Sequence, residues 1–159
     1  LVRFIKSEGD FCVGVAAFVS PHPETNDAEL DAQILLEKEE AGAQYAITQL
    51  FFDTDDYFAM VERTRAMGGT IPIIAGLMPL TRITQIERFE HLSGQPLPPA
   101  FVQRLRQAHP DDVRSLGLGH AVEMCHTLID GGAAGLQFFT QNRAMATSEV
   151  WNQVLHLDA

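Results

Sequence analysis

The sequence is short of cysteine and of basic residues, and it has no long apolar run. Its 159 residues include 2 cysteines and 11 Lys and Arg against 21 Asp and Glu, for a formal net charge of -10. So few cysteines exclude a disulfide-stabilised miniprotein, and so few, dispersed basic residues argue against a nucleic-acid partner. No stretch approaches the ~20 apolar residues of a membrane-spanning helix, and no secretory leader is recognisable. We therefore expect a cytoplasmic protein without a membrane partner.

The composition is that of a folded globular chain. Hydrophobic residues make up 46% of it, and the mean hydropathy is close to zero, which excludes a disordered tail. Cys12 and Cys125 lie in apolar stretches without metal-ligand spacing, so we expect buried thiols in a reducing compartment. The chain opens with Leu1, and residues 1–5 are typical of the end of a helix. We expect an N-terminal portion before them.

Short apolar runs alternate with segments of helical pattern. The runs, typical of strands buried in a parallel sheet, are residues 12–18, 45–52, 71–77 and 135–139. The predicted helices run from a capping box at residues 26–29 to 41–42, from Asp53 to 67–69, from a Thr81 cap to about 93, and over 99–109, 113–131 and 146–155. Residues 94–99 are predicted to form a proline-rich loop.

Alternating strands and helices predict an α/β fold with a parallel sheet. A doubly wound sheet would usually carry a glycine-rich phosphate loop, and neither GxGxxG nor GxxxxGK[ST] occurs in the sequence. The competing (β/α)₈ TIM barrel needs roughly 250 residues. We therefore predict that this chain holds roughly four βα units, half of such a barrel.

Barrel enzymes place functional residues at the C-terminal ends of their strands. Gln49 interrupts an apolar run there, and burying an unpaired amide would cost ~1–3 kcal/mol. Either a backbone group or a polar heterocycle could satisfy this amide. His22, held between two prolines, is either a ligand contact or a residue of a turn.

Three further groups are candidates. Asp31 and Lys38 lie on one stripe of a predicted helix. They could contact a ligand, or they could belong to a charged face exposed to solvent. Gln85 and Phe89, one helical turn apart, could clamp an aromatic ligand, although Phe is more often a core residue. Arg143 follows the last strand and could bind an anion.

Nucleophilic and metal chemistry have no visible machinery in this sequence. No Ser-His-Asp set, paired carboxylates or reactive cysteine can be recognised, and the histidines are scattered without metal-ligand spacing. Chemistry supplied by a bound cofactor fits better, because the protein then provides position and electrostatics.

Four motifs in order carry a family resemblance: HPE at 22–24, AITQLFFD at 46–53, PIIAGLMP at 72–79 and FFTQNRAMAT at 138–147. Together they resemble the C-terminal half of methylenetetrahydrofolate reductase, a flavin enzyme with a (β/α)₈ barrel, over residues 2–155. The resemblance implies that residues 1–159 are the C-terminal half of one flavin-binding catalytic domain whose N-terminal half is absent from this chain.

The resemblance also implies a reaction. Enzymes of this family bind FAD, which accepts a hydride from NADH or NADPH. In ping-pong fashion the hydride then passes to 5,10-methylenetetrahydrofolate, giving 5-methyltetrahydrofolate for methionine biosynthesis in one-carbon metabolism. The residues that match FAD-contacting positions are Phe18, His22, Asp31 and Lys38; those that match folate-side positions are Gln49, Gln85, Phe89 and Arg143. Gln49 would bind the pterin ring, and Phe89 would stack on the substrate's aryl group or on the nicotinamide.

The sequence departs from the family pattern at several positions. Phe18 lacks the hydroxyl of the family tyrosine, Glu37 replaces a common basic residue, and Gln141 replaces the leucine of a TLNR motif. The family's acidic catalytic residues would lie before Leu1, so the catalytic residues of this protein are unknown. We expect this fragment alone to be inactive, the missing N-terminal half-barrel to be its partner, and the assembly to be a homo-oligomer.

Two alternatives remain open at this point. The chain could be a non-catalytic half-barrel that binds flavin or folate, or an assembly module, since an open half-barrel exposes sheet edges and apolar faces. It could also belong to another (β/α)₈ enzyme in which Gln49 is merely structural.

Overall fold

The computed structural model describes residues 1–22, 24–93 and 97–155. Its sheet consists of β1 (Gly14–Ala17), β2 (Tyr45–Thr48), β3 (Ile73–Leu77) and β4 (Leu136–Phe138). The helices are α1 (Val2–Glu8), α2 (Ala28–Glu40), α3 (Thr54–Ala66), α4 (Ile86–Ser93), α5 (Pro99–Gln107), α6 (Val113–Asp130) and α7 (Ala144–Leu155), with a 3₁₀ turn at Ile83–Gln85 before α4.

The four strands are parallel and lie side by side in chain order, β1-β2-β3-β4. A doubly wound sheet would reverse its strand order at a switch point, and this sheet does not. Sequential parallel strands joined through helices are the arrangement of a (β/α)₈ barrel. The predicted fold class is therefore confirmed, with four βα units in the described part of the chain.

The strands are shorter than the apolar runs that predict them. The run at 45–52 contributes only Tyr45–Thr48 to β2, while Leu50, Phe51 and Phe52 are buried beyond the end of the strand. Apolar residues can therefore continue past a strand because they pack under the loops, which a one-dimensional pattern cannot distinguish from strand.

The main core fills the space between the sheet and its helices. Ala46, Ile73 and Ala75 of the strands are at most 1% exposed, and Cys125 and Leu128 of α6 are fully buried in the same cluster. A second cluster lies around the segments that follow β2 and β3, with α4 and α5. It comprises Leu50, Phe52, Leu80, Ile86, Phe89, Leu97, Phe101, Leu105 and Val113. This second cluster orders the loops in which a barrel carries its function.

The opposite face of the sheet is open. Ala16 and Gln49 are exposed, and Tyr45, Ile47 and Ile74 are half-buried. Successive strand residues point to opposite faces, so these side chains share the face turned away from the main core. It is the face that a closed barrel would enclose.

Several local expectations need correction. The sequence predicts a capping box that begins at residue 26, but the residue that caps α2 is Asp27. Its carboxylate accepts the backbone N–H groups of Glu29 and Leu30 at 2.9 and 3.2 Å. Thr81 does not cap the third helix, because the chain first makes a 3₁₀ turn that begins after Arg82. Cys12 is exposed rather than buried, since it precedes the strand at the open edge of the sheet. Of the predicted loop at 94–99, residues 94–96 lie outside the described residues.

Within the described ranges, no helix combines the length and the apolar character that crossing a bilayer requires.

Candidate functional site

The residues that match cofactor positions line a single cavity. It has a volume of about 230 Å³ and lies between the C-terminal end of β1, the segment after it, and α2. The matching residues in its wall are Phe18, His22, Asp31 and Lys38. The fold thus places four residues that are up to twenty positions apart in the sequence around the same cavity.

His22 is oriented by two contacts. Its ring meets that of Phe18 edge to face, with centroids 4.6 Å apart at 85°. Its Nδ1 accepts the backbone N–H of Glu24 at 3.2 Å, so a neutral ring carries its proton on Nε2. Nε2 is consequently the ring atom that can donate to a ligand.

Asp31 holds the loop that follows β1. One carboxylate oxygen accepts the backbone N–H of His22 at 2.7 Å, and the other accepts the hydroxyl of Thr25 at 2.9 Å. Because both oxygens are engaged within the protein, the first role of Asp31 here is to position His22.

Lys38 lies at the open edge of the sheet. Its ammonium donates to the carbonyl of Ala16 at 2.9 Å. The next carbonyl, that of Ala17, accepts the backbone N–H of Gln49, directly after β2. The carbonyl of Ala16 therefore points outward, because successive carbonyls alternate in direction. Burial lowers the pKa of Lys38, and the Asp31 carboxylate partly counteracts this shift. Lys38 thus covers an unpaired acceptor of the edge strand.

A second, larger cavity of about 1430 Å³ lies at the C-terminal ends of β3 and β4, and Gln85 and Arg143 line it. The side-chain oxygen of Gln85 accepts the N–H groups of Thr81 and Arg82, both at 2.8 Å. Only its Nε2 is therefore available to a ligand. Arg143 has no ion pair with any described residue.

The other two folate-matching residues lie outside the wall of this cavity. Phe89 is 1% exposed and stacks on Phe52, with centroids 5.6 Å apart at 18°. Gln49 is exposed at the end of β2. The expectation that its amide is buried in the strand is wrong, because it projects onto the open face of the sheet. The structure brings Gln85 and Arg143 together and leaves Gln49 and Phe89 apart from them.

Besides Arg114, sequence reasoning missed two arginines of the larger cavity, Arg82 and Arg88. Arg82 and Arg88 lie close to Gln85 in the sequence, and that proximity is the signal that could have identified them. Sequence reasoning also missed Thr48, whose buried hydroxyl accepts the N–H of Gly76 at 2.8 Å and ties β2 to β3.

Burial lowers the pKa of His120, which stacks on Phe101 with centroids 4.0 Å apart. In the described ranges, no three His, Cys, Asp or Glu side chains form a metal-binding group.

Comparisons with known proteins agree on one family. The family model described as methylenetetrahydrofolate reductase matches residues 1–155. Methylenetetrahydrofolate reductase 2 of Saccharomyces cerevisiae is 38% identical over 149 residues, which cover 89% of this chain and 25% of that protein. The 5,10-methylenetetrahydrofolate reductase of Escherichia coli is 33% identical over 147 residues, covering 91% and 49% respectively. The chain thus spans about a quarter to a half of the length of these relatives.

A solved structure has a similar fold. It is an uncharacterized protein from Clostridium thermocellum described as binding two copies of 5-methyl-5,6,7,8-tetrahydrofolic acid. It matches with a TM-score of 0.66 over 99% of this chain and 59% of that one, at 16% sequence identity. At this identity, the likeness concerns the fold.

Proposed function

The chain belongs to the methylenetetrahydrofolate reductase family, and from this premise we propose that it is the C-terminal half of the catalytic barrel. The complete protein would reduce 5,10-methylenetetrahydrofolate to 5-methyltetrahydrofolate with NADH or NADPH, in the cytoplasm and in the service of methionine biosynthesis. The observation that carries the proposal is that all four cofactor-matching residues line one cavity beside the sheet.

The open face of the sheet supports the need for a second half-barrel. Ala16 and Gln49 are exposed on it, although the interior of a barrel is normally filled with side chains. The preceding half would cover this face, pair with the edge of β1 and supply the acidic catalytic residues. The 159 residues alone would then have little or no turnover.

FAD is the cofactor that the family implies, and the smaller cavity fits part of it. Its volume of about 230 Å³ is below the ~300–1,000 Å³ of pockets that enclose a whole ligand. Lys38 brings a positive charge to its wall, which suits a phosphate or ribose oxygen of a dinucleotide, whereas Arg63 in the same wall is paired with Glu29 at 3.2 Å. His22 Nε2 can donate to it, Phe18 presents a ring, and Asp31 holds the loop. When bound, the flavin supplies hydride transfer.

The folate would lie at the ends of β2, β3 and β4. Gln49 offers both a donor and an acceptor to the pterin, and Gln85 offers its remaining N–H₂ donors. Phe89 would stack on the substrate only after leaving its contact with Phe52, so we expect this segment to move when folate binds. Arg143 would pair with a carboxylate of the substrate.

The test uses the intact protein and follows the two half-reactions separately. Gln49→Ala should raise the KM for methylenetetrahydrofolate about five- to thirtyfold, because losing hydrogen bonds to a substrate costs on the order of 1–2 kcal/mol. The matched control is Gln44→Ala, which removes an exposed glutamine from the segment before β2, at the opposite end of the strand. We expect it to leave this KM within about twofold.

Different failures point to different conclusions. An unchanged folate KM in the Gln49 variant would indicate another barrel enzyme in which that residue is structural. Tight binding of FAD and folate by the intact protein without NAD(P)H-dependent turnover would favour the non-catalytic binding protein. Sustained folate-dependent oxidation of NAD(P)H by residues 1–159 alone would refute the requirement for a second half.

A further inference from the structure

The strands β2 and β3 part from each other just before Gln49. Their backbone pairing stops at Ile47 and Ile74, whereas β3 continues alongside β4 as far as Leu77. In a regular parallel ladder the N–H of Gly76 would next donate to the carbonyl of Thr48. In the structure this N–H donates to the hydroxyl of Thr48 at 2.8 Å. A side-chain oxygen thus continues the contact between the two strands at the point where their backbone pairing ends.

The inserted hydroxyl is tightly enclosed. Thr48 is 1% exposed, and Gly76 is buried. A Cβ atom on Gly76 would overlap the carbonyl oxygen of Thr48 and lie 2.8 Å from the ring of Phe139, so the close approach requires glycine here. Without the hydroxyl, the N–H of Gly76 would lose this partner in a buried place, which is costly. The Thr48 hydroxyl therefore holds the spacing between β2 and β3 at this end of the sheet.

That spacing determines the direction of the next residue. The N–H of Gln49 donates to the carbonyl of Ala17 in β1 at 2.8 Å. The end of β2 is consequently held on both sides, to β1 through the backbone of Gln49 and to β3 through the side chain of Thr48. Successive side chains of a strand point to opposite faces, so the burial of Thr48 in the core directs Gln49 onto the open face.

We propose that Thr48 is a positioning residue for the folate: its hydroxyl fixes the direction of Gln49, and with it the hydrogen bonds that Gln49 offers to the pterin. The inference rests on the proposed function and adds to it a residue that does not itself touch the substrate. A side-chain amide binds a planar ring well only when its oxygen and nitrogen both reach their partners at good angles. A rotation of the end of β2 therefore weakens both hydrogen bonds together.

The experiment measures the folate KM of three variants of the intact protein. Thr48→Val keeps the shape of the side chain but removes the hydroxyl, and it should raise this KM about five- to twentyfold. Thr48→Ser keeps the hydroxyl and should leave the KM within about twofold. The matched control is Tyr57→Phe, which removes another buried hydroxyl bonded to β3. That hydroxyl donates to the carbonyl of Ile73 at 2.8 Å, at the opposite end of the strand.

The control separates positioning from stability. Tyr57→Phe should lower the Tm about as much as Thr48→Val does, because each variant leaves one buried backbone group unpaired. It should nevertheless leave the folate KM within about twofold. The Tm and the content of bound FAD check folding in every variant. If Thr48→Val does not fold, Thr48→Ala replaces it with the same expected increase in KM.

A double variant tests whether Thr48 acts through Gln49. In the Gln49→Ala background, Thr48→Val should change the folate KM by less than about twofold, since the group that it positions is already gone. Independent, multiplying effects would overturn the inference, as would an equal increase in KM in Tyr57→Phe. An increase in Gln49→Ala without one in Thr48→Val would refute this inference alone. An unchanged KM in Gln49→Ala would refute the proposed role of that residue, and this inference with it.

Discussion

Two glycines of α6 should respond in opposite directions to the same substitution. Gly117 packs against the segment after β3: a Cβ atom there would overlap the carbonyl oxygen of Leu80 and lie 2.8 Å from its carbonyl carbon. A Cβ on Gly119, half a turn further along, would meet no heavy atom of the described residues within 4 Å, apart from its chain neighbours and the backbone of its own helix. Both positions are interior to the helix, so the helix propensity term is the same for both.

The magnitudes follow from that contrast. Replacing a helical glycine by alanine stabilises by ~1 kcal/mol, so Gly119→Ala should raise the Tm by ~2–4 °C. In Gly117→Ala the same gain is opposed by overpacking, which costs ~1–3 kcal/mol and sometimes more. The atoms that obstruct the new Cβ belong to the backbone of Leu80, and carbon atoms prefer separations of about 3.5–4.0 Å. We therefore expect a cost at the high end of the overpacking range. The net loss should be ~2 kcal/mol, or ~4–8 °C in Tm.

Thermal unfolding of the intact protein, followed by circular dichroism, measures both changes. The clash also displaces the segment that leads to Gln85, so Gly117→Ala should raise the folate KM while Gly119→Ala leaves it unchanged. Equal stabilisation of the two variants would refute the close approach of α6 to Leu80. It would also refute the position of the segment after β3, to which Leu80 belongs.

Two further predictions concern thiol reactivity and acid stability. Burial raises the pKa of Cys125 to about 12, whereas Cys12 is exposed. Of these two thiols, only that of Cys12 should therefore react with a colorimetric thiol reagent at neutral pH while the chain is folded. Fast reaction of Cys125 in a Cys12→Ser variant would contradict this prediction. The hydrogen bond from Arg114 lowers the pKa of Glu149 below its ordinary 4.5, so the stability that this pair contributes is present above that pH and lost as the pH falls through the folded value. Denaturant titrations at several pH values should show a flatter acid dependence for Arg114→Gln, and an unchanged slope would refute the coupling.

The helical and strand elements were largely predictable because their signals are local. Asp53 accepts the N–H of Asp55 at the start of α3, and this helix ends before the predicted glycines. Four apolar runs identified four strands, and the lack of a phosphate loop correctly favoured sequential strands over a doubly wound sheet. The errors lie at the boundaries, where Thr81 and Cys12 depend on how the chain turns beyond an element.

The candidate site was predictable only in part. The motif around His22 and the helix stripe of Asp31 and Lys38 identified three residues that share a cavity. The same reasoning could not separate Gln85, whose side chain reaches the second cavity, from Phe89, one turn away but packed on Phe52. The spacing of residues along a helix predicts the direction in which each side chain points from the helix axis. Whether that side chain is buried depends on which loop packs against it.

The amino-acid sequence by itself determined the order of the elements, the cap of α3 and the family, since each follows from residues close together in the chain or from motifs read in order. Only the tertiary structure decided that Arg82, Arg88 and Arg143, which have no ion pair with any described residue, line one cavity and that Gln49 projects from an open sheet face. The physical reason is that electrostatic and packing partners are chosen by proximity in space. Arg82 and Arg143 line the same cavity because the segments that carry them follow β3 and β4, which are paired.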